Sequence, residues 1–309
     1  MESRRPNRSE PVEAPIACLG EAITDLICER NLAAGEAPSE FVPHPGGALA
    51  NVAVAVARAG HRSALIGGVG DDGWGRWLRD GLAREGVHTG WVASLPGVDT
   101  PLALVEFGPD NEPAFQVYGE HIGPTMAATA PFLEVAIEDS QALVIGSNTM
   151  VGEPERRITR RAVELARAAG RPVLLDPNYR PNRWEEATAR EYCRELAAAS
   201  DIVKANRAEA RLITGIDDPI EAARELARMG PSLVVVTAGE GEILTAGAVE
   251  ARHSPEPRVP VSPLGAGDAF MGALAAALSG LAWDLARAAE ALPVAAEAAA
   301  GACAGWGAQ

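Results

Sequence analysis

"PVLLDPNYRPNRWEEATAREYCRELAAASDIVKAN" (residues 172–206) opens on a short apolar run and closes on another, with an amphipathic segment between them. The run "PVLLDP" shows no polar alternation, as expected of a strand buried on both faces. Residues 185–199 space their apolar side chains as a helix does, and "DIVKAN" is a second buried strand. Two such strands joined by a helix make a crossover unit, which requires parallel pairing.

The alternation continues outward. Strand "ALVIGS" and a helix over 154–169 precede the unit; helices over 207–214 and 219–229 and strand "SLVVVTAG" follow it. Nearer the start, "IACLGEAITDLI" reads as a first strand bounded by Gly20. "GGALANVAVAVARAG" reads as a helix stopped at Gly60, "SALIGGVG" as a buried strand, and "DDGWGRWLRDGLAREG" as an amphipathic helix closed by Gly86. The expected class is α/β, with a central, mostly parallel sheet flanked by helices on both faces. Residues 100–119 differ, because two β-type runs flank a turn at 108–111 and predict a hairpin. Residues 1–14 are polar and proline-bearing and are expected to form a disordered leader.

A net charge of −15 over 309 residues argues against a nucleic-acid surface, and 47% apolar residues suffice for a large core. The leader has no secretory apolar region, and no apolar run is long enough to span a bilayer, so no membrane partner is expected. Cys18, Cys28, Cys193 and Cys303 are dispersed and read as reduced residues of a cytoplasmic protein. The five histidines show no metal-ligand spacing.

Ligands of parallel sheets sit at the carboxyl ends of the strands, which ranks the candidate sites. Gly68 to Gly73 satisfies G-x-G-x-x-G, but Asp71 and Asp72 would repel a pyrophosphate there, and a turn capped by aspartate explains the motif better. In "VSPLGAGDAFMGAL" (261–274), Gly265, Ala266 and Gly267 open a helix beside Asp268. Their amides could converge on an anion while Asp268 takes a proton from a hydroxyl, or the stretch could be a plain capped helix. "DPNYRPNRW" places Asp176, Asn178, Arg180 and Arg183 after a strand. "VKANRAE" offers Lys204, Asn206 and Glu209, the last two as holders of a magnesium-bound water or as a simple helix cap. "TAGEGE" brings Thr237, Gly239 and Glu240 into a turn. Near the front, Asp25, Gly46, Gly47 and Asn51 could receive a polyol.

Together and in this order, these motifs resemble the ribokinase, or PfkB, family of carbohydrate kinases from about residue 16 onward. The resemblance implies a ribokinase-like domain over 15–309, with a small β-sheet lid formed by segments 29–45 and 100–119. It implies transfer of the γ-phosphoryl group of ATP to a sugar hydroxyl. Asp268 would be the general base and Gly265, Ala266 and Gly267 the anion hole. Asp25, Gly46, Gly47, Asn51 and Arg180 would hold the sugar. Lys204, Asn206, Glu209, Thr237, Gly239 and Glu240 would serve nucleotide and Mg2+, Glu209 through water. Similarity to fructokinases points to fructose or a related ketose; 2-keto-3-deoxygluconate and ribose are the alternatives, and a binding protein without turnover is the rival from another class. A homodimer through the lid is the assembly expected. Where the family reads Asp-Thr ahead of its glycines this chain has Ser262-Pro263-Leu264, which argues against strong K+ activation. Glu242 stands where a glycine is usual, and Ala296 where an asparagine often lies on the adenine side.

Overall fold

The computed structural model describes residues 13–238 and 241–309. Most of the leader therefore lies outside the described residues, as do Gly239 and Glu240. In chain order the strands are β1 (Ile16–Leu19), β2 (Ile23–Asn31), β3 (Val42–Gly46), β4 (Ser63–Gly70), β5 (Val87–His88), β6 (Val92–Leu95) and β7 (Leu102–Phe107). They continue as β8 (Pro113–Tyr118), β9 (Ala142–Gly146), β10 (Val173–Asp176), β11 (Ile202–Asn206), β12 (Leu233–Thr237), β13 (Ile243–Gly247) and β14 (Arg252–His253).

The main sheet runs β14-β13-β12-β11-β10-β9-β1-β4-β5, with β6 also paired to β4. Pairing is parallel from β12 through β5, and among the described residues the antiparallel pairs of this sheet are β12–β13 and β13–β14 at one edge. Strand β1 lies in the middle, Leu19 opposite Ile66 on one side and Ile145 on the other. Because successive side chains of a strand point to opposite faces, each strand feeds two cores. Ile16, Cys18, Val144 and Val235 pack with Val52 and Leu274 from the helices Ala48–Arg58 and Ala266–Gly280. Ala17, Leu19, Ile145 and Val234 pack with Ala162 and Leu196 from the helices Glu153–Ala168 and Glu186–Ala199. Both faces are covered, as the unbroken apolar strands require.

A separate four-stranded sheet, ordered β3-β2-β7-β8, contains the hairpin expected over 100–119. Its other two strands, β2 and β3, begin at Ile23 and end at Gly46, around the segment 29–45. The stretch "IACLGEAITDLI" thus divides instead of forming one strand. The Gly20 amide makes its bond to the Ile66 carbonyl at 3.0 Å, and the chain then leaves the main sheet and enters the small one. A Cβ on Gly20 would stand 2.7 Å from that of Leu49, so the turn is seated directly on the helix Ala48–Arg58. Hydropathy could not mark this break, since both halves are apolar. The edge strand β13, which pairs antiparallel with β12, was not anticipated either.

The two helices on the first face touch backbone to backbone. A Cβ on Gly272 would meet the Ala55 Cβ at 2.5 Å and the Val52 carbonyl oxygen at 2.7 Å. This approach sets how far Asn51, on one helix, lies from Asp268, on the other. By helix propensity alone Gly272→Ala should stabilise by about 1 kcal/mol. Overpacking between the helices reverses the sign, and we expect a net loss of about 1–3 kcal/mol in urea unfolding. A gain in stability would show that the helices separate freely.

Candidate active site

The carboxyl ends of β10, β11 and β12 and the turn after β1 converge on one region beneath the small sheet. Gly265 caps the helix Ala266–Gly280 in a left-handed conformation, φ 79°, and a Cβ there would lie 2.6 Å from the Ala308 Cα. The cap leaves the first-turn amides with no carbonyl behind them. The Ala266 amide leans back on the Pro263 carbonyl at 3.4 Å, so Gly267 and Asp268 carry the amides most open to an anion.

Asp268, in that first turn, is 5% exposed. Asn51 Nδ2 donates to its Oδ2 at 2.8 Å and Asn178 Nδ2 to its Oδ1 at 2.7 Å. Burial pushes the acid up to about 6; the Asn51 bond, Arg180 and Lys204 pull against this, and Asp176 adds to it. Asp25 belongs to the small sheet, between His44 and Ala103 on its neighbouring strands. Burial raises it to about 7, opposed by Arg180 and helped by Asp268 and Glu21. Asp25 presses so closely on Gly46 that any side chain there would collide with its carboxylate, and Gly47, φ 100°, lies as closely on the Glu21 carbonyl.

Lys204 and Asp176 form a buried pair at 2.8 Å, their side chains 4% and 3% exposed. Burial works against the ammonium, but Asp176 and Glu209 outweigh it and hold the lysine above its ordinary value. Asn206 and Glu209 form a reciprocal cap: Asn206 Oδ1 accepts from the Glu209 amide at 2.9 Å, and Glu209 Oε2 accepts from the Asn206 amide at 2.8 Å. Glu209 Oε1 accepts from the Tyr179 amide at 3.0 Å. Burial first, then Asp176, raises the Glu209 acid above the usual carboxylate range.

Two adjoining cavities share Lys204, Pro263 and Gly267 as their common wall. The first, about 250 Å³, is polar and takes in Asp25, Gly47, Asn51, Arg180, Glu209 and Asp268. The second, about 450 Å³, is bounded by Thr237, Ile243, Ala266, Phe270, Ala296 and Cys303. Every site residue expected from the sequence, among the described ones, lines a cavity or, for Gly46, backs a residue that does. Asn178 and Asn148, to which the sequence assigned no role, also line the polar cavity. Asn178, φ 45°, turns its amide under Asp268 from the loop after β10; the run Asp-Pro-Asn after a strand was its only signal. Asn148 donates to Glu21 Oε1 at 3.2 Å, and nothing in its surrounding sequence marked it. At Gly68–Gly73, the Asp72 carboxylate accepts from the Gly75 amide at 2.7 Å and the Thr100 amide at 2.7 Å, so that motif is a capped turn.

A small polar cavity sharing a helix start as a wall with a larger, less polar one is a layout suited to a two-substrate group-transfer enzyme. Comparison with known proteins gives this a name. Residues 14–309 match the model of the pfkB family carbohydrate kinases. The chain is 34% identical to a fructokinase of Klebsiella pneumoniae over 270 residues, covering 84% of this chain and 83% of that one. It superposes on the crystal structure of Vibrio cholerae O395 fructokinase in its fructose-, ADP- and calcium-bound form with a TM-score of 0.82 and 27% identity, covering 96% and 95%. Aminoimidazole riboside kinase from Salmonella enterica aligns at 0.78 and 28%, covering 95% of each chain. The chain belongs to the pfkB family of carbohydrate kinases. It is an ATP-dependent sugar kinase.

If Asp268 acts as a base it must be ionised, and kcat/KM should then fall by about tenfold per pH unit below about 6 and level off above it. Asp268→Asn should cost about 100-fold or more in turnover while leaving sugar binding by calorimetry largely intact. Wild-type rates in that variant would remove Asp268 from the chemistry.

Proposed function

We propose that the chain is a fructokinase, transferring the γ-phosphoryl group of ATP to a hydroxyl of fructose or a closely related ketose. The observation that carries this is a set of buried oxygens with no partner around the polar cavity: Glu21 Oε2, Asp25 Oδ1, Asn148 Oδ1, Asp176 Oδ1 and Asn178 Oδ1. All are acceptors, and a buried acceptor without a donor is costly. A neutral polyol brings the hydroxyl donors that would satisfy them. Fructokinase relatives at 34% identity point the same way.

In this reading Asp268 accepts the proton of the attacking hydroxyl, and the helix start at Gly265–Gly267, chiefly through the Gly267 and Asp268 amides, holds the negative charge of the transferring group. Lys204, at the wall between the cavities, supplies a fixed positive charge there. Thr237 borders the nucleotide cavity, with Gly239 and Glu240 assigned beside it by the sequence. The small sheet acts as a lid that excludes water, a competing acceptor. Arg180 spans the two parts: it extends from the loop after β10 to stack over Phe115 of β8, 5.0 Å from the ring centroid.

Among the described residues no group of three or more His, Cys, Asp or Glu forms a cage for a metal. The oxygen set beside the anion hole, buried Glu209 together with the unpartnered Asp176 Oδ1, instead fits a magnesium ion that keeps waters and binds chiefly to phosphate. Glu209 and Asn206 would hold it through water, and bound Mg2+ would supply neutralising charge to the phosphates. On the turn ahead of the anion hole Ser262 is buried and its hydroxyl accepts from the Leu264 amide at 3.2 Å, so no carboxylate is present there to draw a K+ ion. A cytoplasmic location and a homodimer through the small sheet complete the reading; none of the helices of the described residues is long and apolar enough to cross a membrane.

One specific observation favours a second substrate. Arg180 and Arg183 both border the polar cavity and could receive the carboxylate of 2-keto-3-deoxygluconate. A coupled ADP-release assay over fructose, 2-keto-3-deoxygluconate, ribose and adenosine decides between them. We expect the highest kcat/KM on fructose, with exchange of KCl for NaCl leaving the rate unchanged. Faster turnover of the sugar acid would transfer the assignment to it.

A further inference from the structure

We infer that Gln309 is a positioning residue for the catalytic carboxylate, acting through Asn51. The inference rests on Asp268 being the general base. Gln309 Nε2 donates to Asn51 Oδ1 at 2.9 Å, and Asn51 Nδ2 donates to Asp268 Oδ2 at 2.8 Å. Three side chains, from residues 309, 51 and 268, therefore form one hydrogen-bonded line ending on the base.

The chemistry of an amide makes the outer member matter. Ionised Asp268 selects the NH2 side of Asn51, because the reverse orientation would put a carbonyl oxygen against a carboxylate. Asn51 is 5% exposed, so its own oxygen is then left facing away from the base with little access to water. A buried oxygen in that position calls for a donor. Gln309 provides the donor. Deprived of it, Asn51 would do better by turning its oxygen to a sugar hydroxyl, and Asp268 would lose the bond on Oδ2. Donation into Oδ1 also polarises the amide and strengthens its N–H toward the base.

The segment bearing Gln309 is anchored on both sides. Trp306 packs edge-to-face on Phe107 of the small sheet with centroids 5.0 Å apart, and Ala308 lies against Gly265. Between them Gly307, φ 87°, fits against the His44 ring, where a Cβ would come within 2.5 Å of Nδ1. The charged groups facing Asp268 are Asp25 from β2, Asp176 at the end of β10, Arg180 from the following loop and Lys204 from β11. A neutral change at 309 alters none of them, so its effect on Asp268 would be read through Asn51 alone.

The test is Gln309→Met, which keeps the length of the side chain and removes the donor. We expect the acidic limb of the kcat/KM profile to move up by about half a pH unit, which is about threefold in rate at pH 5.5. The loss should lie in kcat more than in the KM for fructose, with the thermal midpoint unchanged. Gln309→Lys, which restores a donor of similar reach, should bring the limb back to the wild-type position or below it. An unmoved limb in Gln309→Met overturns the inference, whether its thermal midpoint holds or falls; a fall would make Gln309 a structural clamp. Asp268→Asn, run in parallel, separates the two levels. If that variant is inactive while Gln309→Met behaves as wild type, the role of Gln309 fails alone; if Asp268→Asn is active, the general-base reading fails with it.

Discussion

The Asp268 carboxylate lies out of water with one side-chain amide on each oxygen, and those amides come from residues 51 and 178, on two other elements of the fold. An ionised group in such a place is expensive unless it is hydrogen-bonded. Two amide donors suffice to hold it but leave its acid near 6, where it remains basic enough to take a proton. The requirement propagates outward. Asn51 reaches Asp268 only because Gly272 lets two helices touch at their backbones, and Asn178 only because the loop after β10 turns it through a left-handed conformation. Helix packing, loop geometry and proton chemistry are thus one constraint viewed at three scales.

The small sheet is tied to this centre from three directions. Asp25 enters from β2, Asn182 Nδ2 donates to the Phe115 carbonyl of β8 at 2.6 Å, and Trp306 packs edge-to-face on Phe107 of β7. Ile23, Ile27, Val105, Phe107, Leu264 and Ala308 form a third, minor core that joins the sheet to the turn preceding the helix Ala266–Gly280. Few apolar contacts hold this core compared with the two that flank the main sheet. A lid, the role proposed for this sheet, belongs at the low end of local stability, and the distribution of packing fits that proposal.

The helices and parallel strands from 142 to 237 were legible in the sequence nearly to the residue, because strands buried on both faces and amphipathic helices give different hydropathy patterns. The helix read over 207–214 occupies Arg207–Thr214. Hydropathy failed where both alternatives are apolar, at the break after Leu19 and at edge strand β13. The glycines and Asp268 could be found because their chemistry is concentrated in a short run. Asn148 and Gln309 could not, since each acts through one long-range contact, to Glu21 and Asn51, and such contacts leave no local pattern. The cap formed by Asn206 and Glu209 was legible as geometry, yet the same geometry suits a plain helix start, so spacing alone left its function open.

The overall charge of −15 looks unsuited to a substrate as anionic as ATP. The interior answers differently from the sum. Lys204 is kept protonated by Asp176 and Glu209 at the wall between the two cavities, and Arg180 and Arg183 border the polar one. A buried ion pair such as Lys204–Asp176 contributes little to stability once desolvation is counted. What it supplies is a charge fixed in position in a low-dielectric site, where an ammonium acts on a phosphoryl group far more strongly than it would in water. Asp176 keeps one oxygen without a partner, so the pair is not closed on itself and the site retains an acceptor for whatever binds beside the lysine. An acidic chain and a few cations fixed in its cleft are therefore compatible, because net charge governs solubility and distant attraction while phosphoryl transfer depends on the charges in contact with the reacting group.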